Sequence, residues 1–280
     1  MFQINWKLKA FLYKVLELFR LKKTFFLIQY YITKRSRINI KEISFMWKSH
    51  AESIYKNNCK SLLEVGAGKS LAQNIFFSYH FNNKLEQTAV DIIDMLDFKL
   101  FNDASDQIAS VLNLKKRGHI NNLNELKSKY NITYKAPFKI SDLYDTHKYD
   151  ISVNTTALEH FKIEDIKLYL DNLRRIIKNG GYVSSLIDYT DHYSHTDNQI
   201  STFNFLKYST KDWSKYNNSY LFQNRLRHQD YKKIFTDNKL DIIEEKKGKL
   251  SDPPNDISGE FNIKNKDTFV TWGYFLKKID

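Results

Sequence analysis

The feature that most constrains this chain is a short apolar run that ends on two glycines and passes at once into a helix pattern. Ser61-Leu-Leu-Glu-Val65 reads as a strand, Gly66-Ala-Gly68 as a tight turn, and Ser70 to about Tyr79 as a helix. Glycine lets the backbone turn sharply and approach a ligand without a Cβ in the way. The alternation then continues. Strands are expected at Thr88–Ile92, Ile132–Lys135, Tyr149–Val153 and Tyr182–Ile187, with mixed, mostly helical sequence over 93–130. Ile163, Ile166, Leu170, Leu173 and Ile177 mark one helix face, which is expected to stop at Asn179-Gly180-Gly181. Two late strands, Leu240–Glu245 and Thr268–Leu276, suit an antiparallel pair at a sheet edge. The fold class is therefore α/β: a doubly wound, seven-stranded sheet, mostly parallel with an antiparallel last strand, preceded by an N-terminal helical arm.

Charge separates the arm from the body. Residues 1–48 hold 11 Lys/Arg against Glu17 and Glu42, a net of +9 out of +12 for the 280 residues. A nearly neutral body at 49–280 argues against a chain that binds nucleic acid over its whole surface. Residues 6–23 read as an amphipathic helix with Leu8, Leu12, Val15 and Phe19 on one stripe, widened by Phe11, Leu16 and Leu18. That stripe is expected to dock on the domain or on a second subunit. Peripheral contact with an anionic membrane, and self-association, both stay open. The best apolar stretch, Phe25–Ile32, is short and interrupted by Gln29, and Lys14, Arg20, Lys22 and Lys23 break up any signal-peptide core. Cys59 stands alone, which excludes an intrachain disulfide and suits a reducing cytoplasm, on the inner face of the membrane if the arm binds lipid.

Three ligands compete for the glycine turn. A phosphate-binding P-loop needs glycine at position 63, which is Leu63, and a dinucleotide site needs a third glycine at position 71, which is Leu71. Glu64 would also repel a pyrophosphate. S-adenosylmethionine carries a sulfonium and an ammonium but no phosphate, so carboxylates near it are tolerated. Asp91 lies 23 residues beyond Gly68, at the end of the second strand, where a carboxylate can accept both ribose hydroxyls.

Glu64-Val-Gly-Ala-Gly68, Ala89-Val-Asp-Ile92, Tyr149-Asp-Ile-Ser-Val-Asn-Thr-Thr-Ala-Leu-Glu-His-Phe161 and Leu173-Arg-Arg-Ile-Ile-Lys-Asn-Gly-Gly181 resemble, in order, motifs of the class I S-adenosylmethionine-dependent methyltransferases. Ile187-Asp-Tyr-Thr-Asp-His192, Phe203-Asn-Phe-Leu206, Asp212-Trp213 and Asn224-Arg-Leu-Arg227 resemble a bacterial subgroup linked to cell-surface polysaccharide pathways. The resemblance implies a Rossmann-like fold. It also implies S-adenosylmethionine held by Glu64, Gly66, Ala67, Gly68, Asp91 and Ile92, with Asn154 near its methionine end. Lys139 stands where that subgroup has an acid, so Ser141 or Asp142 would have to serve the adenine. Related quinone methyltransferases bind a metal through an extra carboxylate beside the Glu-His pair. Thr156 occupies that place here, so no metal is expected.

The expected chemistry is methyl transfer to a hydroxyl of a small molecule or glycan precursor, with His192 as first candidate base, His160 as second, and Asp188 orienting one of them. Asp191, Arg225 and Arg227 are candidate substrate ligands, the arginines for an anionic group. As plain alternatives, the histidines would be structural and the arginines would pair with the acids of 188–197. Trp213 and Phe203 would wall the pocket or fill a core. Two other functional classes compete: an RNA or protein methyltransferase that uses the basic arm, and a non-catalytic cofactor-binding subunit.

Overall fold

The computed structural model describes residues 3–21, 24, 40–139, 142 and 146–279. The run Phe25–Ile32, Lys22 and Ser141 lie outside the described residues. Seven strands form one sheet: β1 (Ser61–Val65), β2 (Glu86–Val90), β3 (Ile132–Lys135), β4 (Tyr149–Thr155), β5 (Ile177–Asp188), β6 (Asp241–Lys247) and β7 (Trp272–Lys278). Their order is β3-β2-β1-β4-β5-β7-β6, and β7 alone runs antiparallel to the other six. The chain walks outward from β1 to β3, then returns to the other side of β1 with β4. The order reverses between β1 and β4, the place at which open α/β sheets form their ligand crevice, beyond the carboxyl ends of the strands.

The strands alternate between two cores because successive side chains point to opposite faces. Leu62, Ala89, Ile151, Val153 and Leu276 pack under α2 (Ile40–Lys56), α3 (Ala72–His80) and α4 (Phe98–Val111). Leu63, Val65, Val90, Val183 and Phe275 pack under α6 (Ile163–Ile176) and α8 (His228–Asp237). A short α5 (Leu123–Tyr130) precedes β3, and α7 is the single turn Thr210–Trp213. A third cluster joins the N-terminal helix α1 (Trp6–Leu18) to the segment after β5 through Trp6, Tyr13, Tyr193, Phe205 and Trp213. No described helix is long and apolar enough to cross a membrane.

Three expectations change. The helix before β5 stops at Ile176, not at the glycines, and residues 177–181 already belong to the strand. The pairing jumps from Tyr149↔Ile177 to Ile151↔Tyr182, and Gly181 makes room for the jump, since a Cβ there would sit 2.8 Å from the Asp150 carbonyl oxygen. The boundary expected at residue 48 falls inside α2, whose Trp47, Ala51 and Ile54 are buried in the main core. Finally, α1 docks through Trp6, Lys9, Ala10, Tyr13 and Leu16, leaving Leu8, Phe11, Leu12, Leu18 and Phe19 exposed. Periodicity identified the helix, but Trp6 and Tyr13 find an aromatic partner surface that the aliphatic stripe does not.

Candidate active site

The glycine turn lies at the end of β1, beside the switch in strand order. Gly66 has φ +86° and Gly68 φ +70°, both in the region that disfavours a side chain. A Cβ on Gly66 would come within 2.9 Å of the Ala157 Cβ, whereas Gly68 faces open space. The turn is pinned from β2, because the N–H groups of Gly66 and Ala67 both donate to the Val90 carbonyl. Leu71 follows with φ +49° and caps α3 without a side-chain hydrogen bond.

Asp91 reaches across to this turn. Its Oδ2 accepts the Gly68 N–H at 3.1 Å and its Oδ1 accepts the Ile93 N–H at 3.2 Å. Burial raises its pKa, and these backbone hydrogen bonds oppose the rise. Ile92 beside it is 69% exposed, an apolar side chain facing solvent. Glu64 lies under the turn. Its Oε1 accepts from Gln73 Nε2 at 2.9 Å, and its Oε2 is buried with no partner. Burial, with Asp91 nearby, pushes this carboxyl up to about 8 even though Asn74 opposes the shift.

Across the crevice, Glu159 and His160 follow β4, and Asp188, His192 and His195 follow β5. Asp188 Oδ1 accepts from the Thr190 N–H (2.8 Å) and hydroxyl (2.7 Å), and its Oδ2 lies 3.4 Å from His192 Nε2. Burial would raise the Asp188 carboxyl, but His192, His195 and Thr190 outweigh it and hold the pKa at about 2. His192 is anchored by its backbone N–H, which donates to Gln223 Oε1 at 2.9 Å. The His160 ring meets the His192 ring edge-on at 4.9 Å, and its Nδ1 is 2.7 Å from the Phe222 carbonyl, which requires Nδ1 to carry the proton. Surrounding protein and then His192 lower its pKa to about 4, although one edge stays exposed in the cleft.

Glu159 is 3% exposed and neither carboxylate oxygen makes a hydrogen bond. Burial and Asp188 raise its pKa well above the usual range, while the nearby N–H groups of Glu159 and Asp188 oppose this. Glu159, His160 and His192 each offer a ligand-type atom within 4.8 Å of the others.

The structure draws Glu64, Gly66, Ala67, Gly68, Asp91 and Ile92 to one side of the crevice, and His160, Asp188 and His192 to the other. It does not bring the remaining candidates there. Asn154 is fully buried, donating to Tyr169 Oη (3.1 Å) and Ser185 Oγ (2.9 Å) inside the sheet. Asp191 is also fully buried, with Oδ1 accepting the Tyr193 N–H and Oδ2 3.3 Å from Asn204 Nδ2. Neither arginine binds the acids of 188–197. Arg225 donates to the carbonyls of Phe205 (3.1 Å) and Tyr208 (2.7 Å), and Arg227 to those of Thr268 (2.8 Å), Tyr189 (2.7 Å) and Val270 (3.3 Å). Their guanidinium groups are spent on carbonyls left open by irregular chain. Phe203 and Trp213 fill the third core. Lys139 is exposed, and Asp142 turns back to accept the Lys139 N–H at 3.1 Å.

Some site residues were not legible in the sequence. Ala157 was legible only as part of the Tyr149–Phe161 motif; that its Cβ stands against Gly66 was not. Asn224 Nδ2 donates to the carbonyls of Leu158 (2.8 Å) and Phe161 (2.9 Å), holding the Glu159-His160 turn from 63 residues away in sequence.

No family model and no curated protein matches the chain. Among solved structures, it is similar to a putative O-methyltransferase from Nostoc punctiforme (TM-score 0.49, 12% identity, 84% of this chain and 56% of that one). It is similar to the CurJ carbon methyltransferase (TM-score 0.42, 14% identity, 78% of this chain), of which it spans only 48%. A third is the Burkholderia thailandensis 1,6-didemethyltoxoflavin-N1-methyltransferase, solved with S-adenosylhomocysteine (TM-score 0.45, 11% identity, 79% of this chain and 71% of that one). Likeness at this level concerns the arrangement of the sheet, which the strand order already establishes.

Proposed function

We propose that the chain binds S-adenosylmethionine at the Gly66–Gly68 turn and methylates a hydroxyl of a small molecule or glycan precursor. The observation that carries the reading is the turn itself: two glycines at positive φ, at the switch in strand order, with the Asp91 carboxylate hydrogen-bonded to Gly68. The residues fit the group. Gly68 at φ +70° faces open space, so a ligand can approach its backbone, and the Asp91 carboxylate beside it favours a cationic ligand over a pyrophosphate. When bound, S-adenosylmethionine supplies an electrophilic methyl carbon on a sulfonium. The protein's part is to orient the acceptor oxygen, exclude water and take the hydroxyl proton. His192 would take that proton, and Asp188, 3.4 Å away and held ionised, would stabilise the imidazolium that forms. His160, with its Nε2 lone pair free of the proton held at Nδ1, is the neighbour able to bind the acceptor.

A second reading is favoured by the two unpartnered Glu159 oxygens. A divalent cation on Glu159, His160 and His192 would acidify the hydroxyl instead, with His192 as a ligand. It would need no carboxylate at position 156, because the third ligand comes from the loop after β5.

Calorimetry with S-adenosylmethionine and NAD tests the cofactor. Binding of the former alone is expected, and Asp91→Ala should weaken it by roughly 1.5–3 kcal/mol, the scale of a charge-assisted hydrogen bond. NAD binding without a response to S-adenosylmethionine would sink the proposal. Cofactor binding with no turnover on any hydroxyl acceptor would point to a non-catalytic subunit.

A further inference from the structure

α1 is apolar on two opposite faces, and the domain uses only one. Trp6, Ala10, Tyr13 and Leu16 face inward. Leu8, Phe11, Leu12, Leu18 and Phe19, at spacings of three, four and seven residues along the other side, are between 43% and 76% exposed. Single exposed leucines are ordinary, but a continuous stripe of five large apolar side chains marks a contact surface.

The helix is not free to roll and bury that stripe. The Trp6 N–H donates to Asp197 Oδ2 at 2.8 Å, Lys9 Nζ reaches Thr196 Oγ1 at 2.8 Å, and the Ile4 N–H donates to the Thr196 carbonyl at 2.8 Å.

Charge says what would cover the stripe. Helical spacing places Lys7 and Lys14 together along one border of it. The one acid of the helix, Glu17, is turned away and accepts the Ser219 N–H at 3.0 Å. In sequence, residues 22–39 continue the same composition, with Lys22, Lys23, Lys34, Arg35 and Arg37, no acid, and the apolar run Phe25-Phe-Leu-Ile28. An apolar stripe bordered by positive charge matches a surface with an apolar interior and negative headgroups.

We propose that the outward face of α1 seats this chain on an anionic lipid bilayer. The anchoring contacts run to Thr196 and Asp197, in the loop that carries His192, on the face of α1 opposite the stripe. The proposal does not depend on the methyl-transfer reading.

The test is co-sedimentation of the full chain with vesicles of phosphatidylcholine alone, or of phosphatidylcholine with phosphatidylglycerol, at low and high salt. Binding to the anionic vesicles should be at least about tenfold stronger and should weaken with salt. Phe11→Ser with Phe19→Ser should reduce it by about tenfold or more, the scale of two exposed aromatic rings. Melting temperature and S-adenosylmethionine affinity of the double variant serve as controls for folding, and both should stay at the wild-type value. Failure of S-adenosylmethionine to bind the wild type would leave the vesicle result standing. Equal binding to both vesicle types, no binding to either, or no loss in the double variant would overturn the bilayer proposal. So would a concentration-dependent dimer, abolished by the double variant, in sedimentation velocity, since a second copy would then be the occupant.

Discussion

The two sides of the crevice are built differently. On the side of β1 and β2, the candidate site is built from backbone: two glycine dihedrals, the N–H groups of the turn, and one carboxylate at a strand end. On the side of β4 and β5, it rests on side chains held by distant chain: Glu159 and His160 by Asn224, and His192 by Gln223. Backbone geometry is encoded locally, in the residues that tolerate it. Side-chain duty is assigned by whatever packs nearby. Hence Glu64, Gly66, Ala67, Gly68, Asp91 and Ile92 gather around the turn, whereas Asn154, Asp191, Arg225 and Arg227 are taken up by the scaffold.

The largest expected effect is at His192. If it takes the hydroxyl proton, His192→Gln should cut turnover by roughly 10²–10⁴-fold with cofactor affinity nearly unchanged. Single-turnover rates with and without a chelator decide between base and ligand. Activity that is lost on chelation and restored by a divalent ion makes His192 a ligand. Near-normal turnover in the variant would remove it from the chemistry and leave His160 as the candidate.

Arg227 sharpens the same contrast from the structural side. Arg227→Met leaves the Thr268, Tyr189 and Val270 carbonyls unpaired in a buried setting. It should cost roughly 1–3 kcal/mol in denaturant unfolding while KM per folded molecule stays put. A raised KM at unchanged stability would return Arg227 to the acceptor site.

The remaining effect is one of pH dependence and concerns Glu64 in the cofactor-free chain. Its carboxyl loses its proton near its ordinary pKa of 4.5 when unfolded but only at about 8 when folded. Between those values the folded state holds the extra proton, so this group's contribution to stability falls as pH rises through the window. His50, lowered to about 3 by burial and by Lys277 and Lys246, acts in the opposite sense below its ordinary 6.5. The difference between wild type and Glu64→Gln isolates the carboxyl. The melting temperature of the variant should gain on the wild type steadily between about pH 5 and pH 8. A constant offset would mean that Glu64 is ionised throughout.

Sequence alone determined what depends on neighbours in the chain. β1 and β3 run over the expected residues, the β6–β7 pair is antiparallel as expected, and the glycine turn is where two glycines allow positive φ. Those features follow from periodicity and steric freedom, which a few consecutive residues settle. Only the tertiary structure decided which face of α1 turns inward, because both faces are apolar and the choice depends on the aromatic surface of Tyr193, Phe205 and Trp213. Only it could spend Arg225 and Arg227 on carbonyls, because those carbonyls belong to chain that no local pattern connects to the arginines. And only it set Glu159, His160 and His192 together, because β4 and β5 end side by side and their loops meet above the sheet.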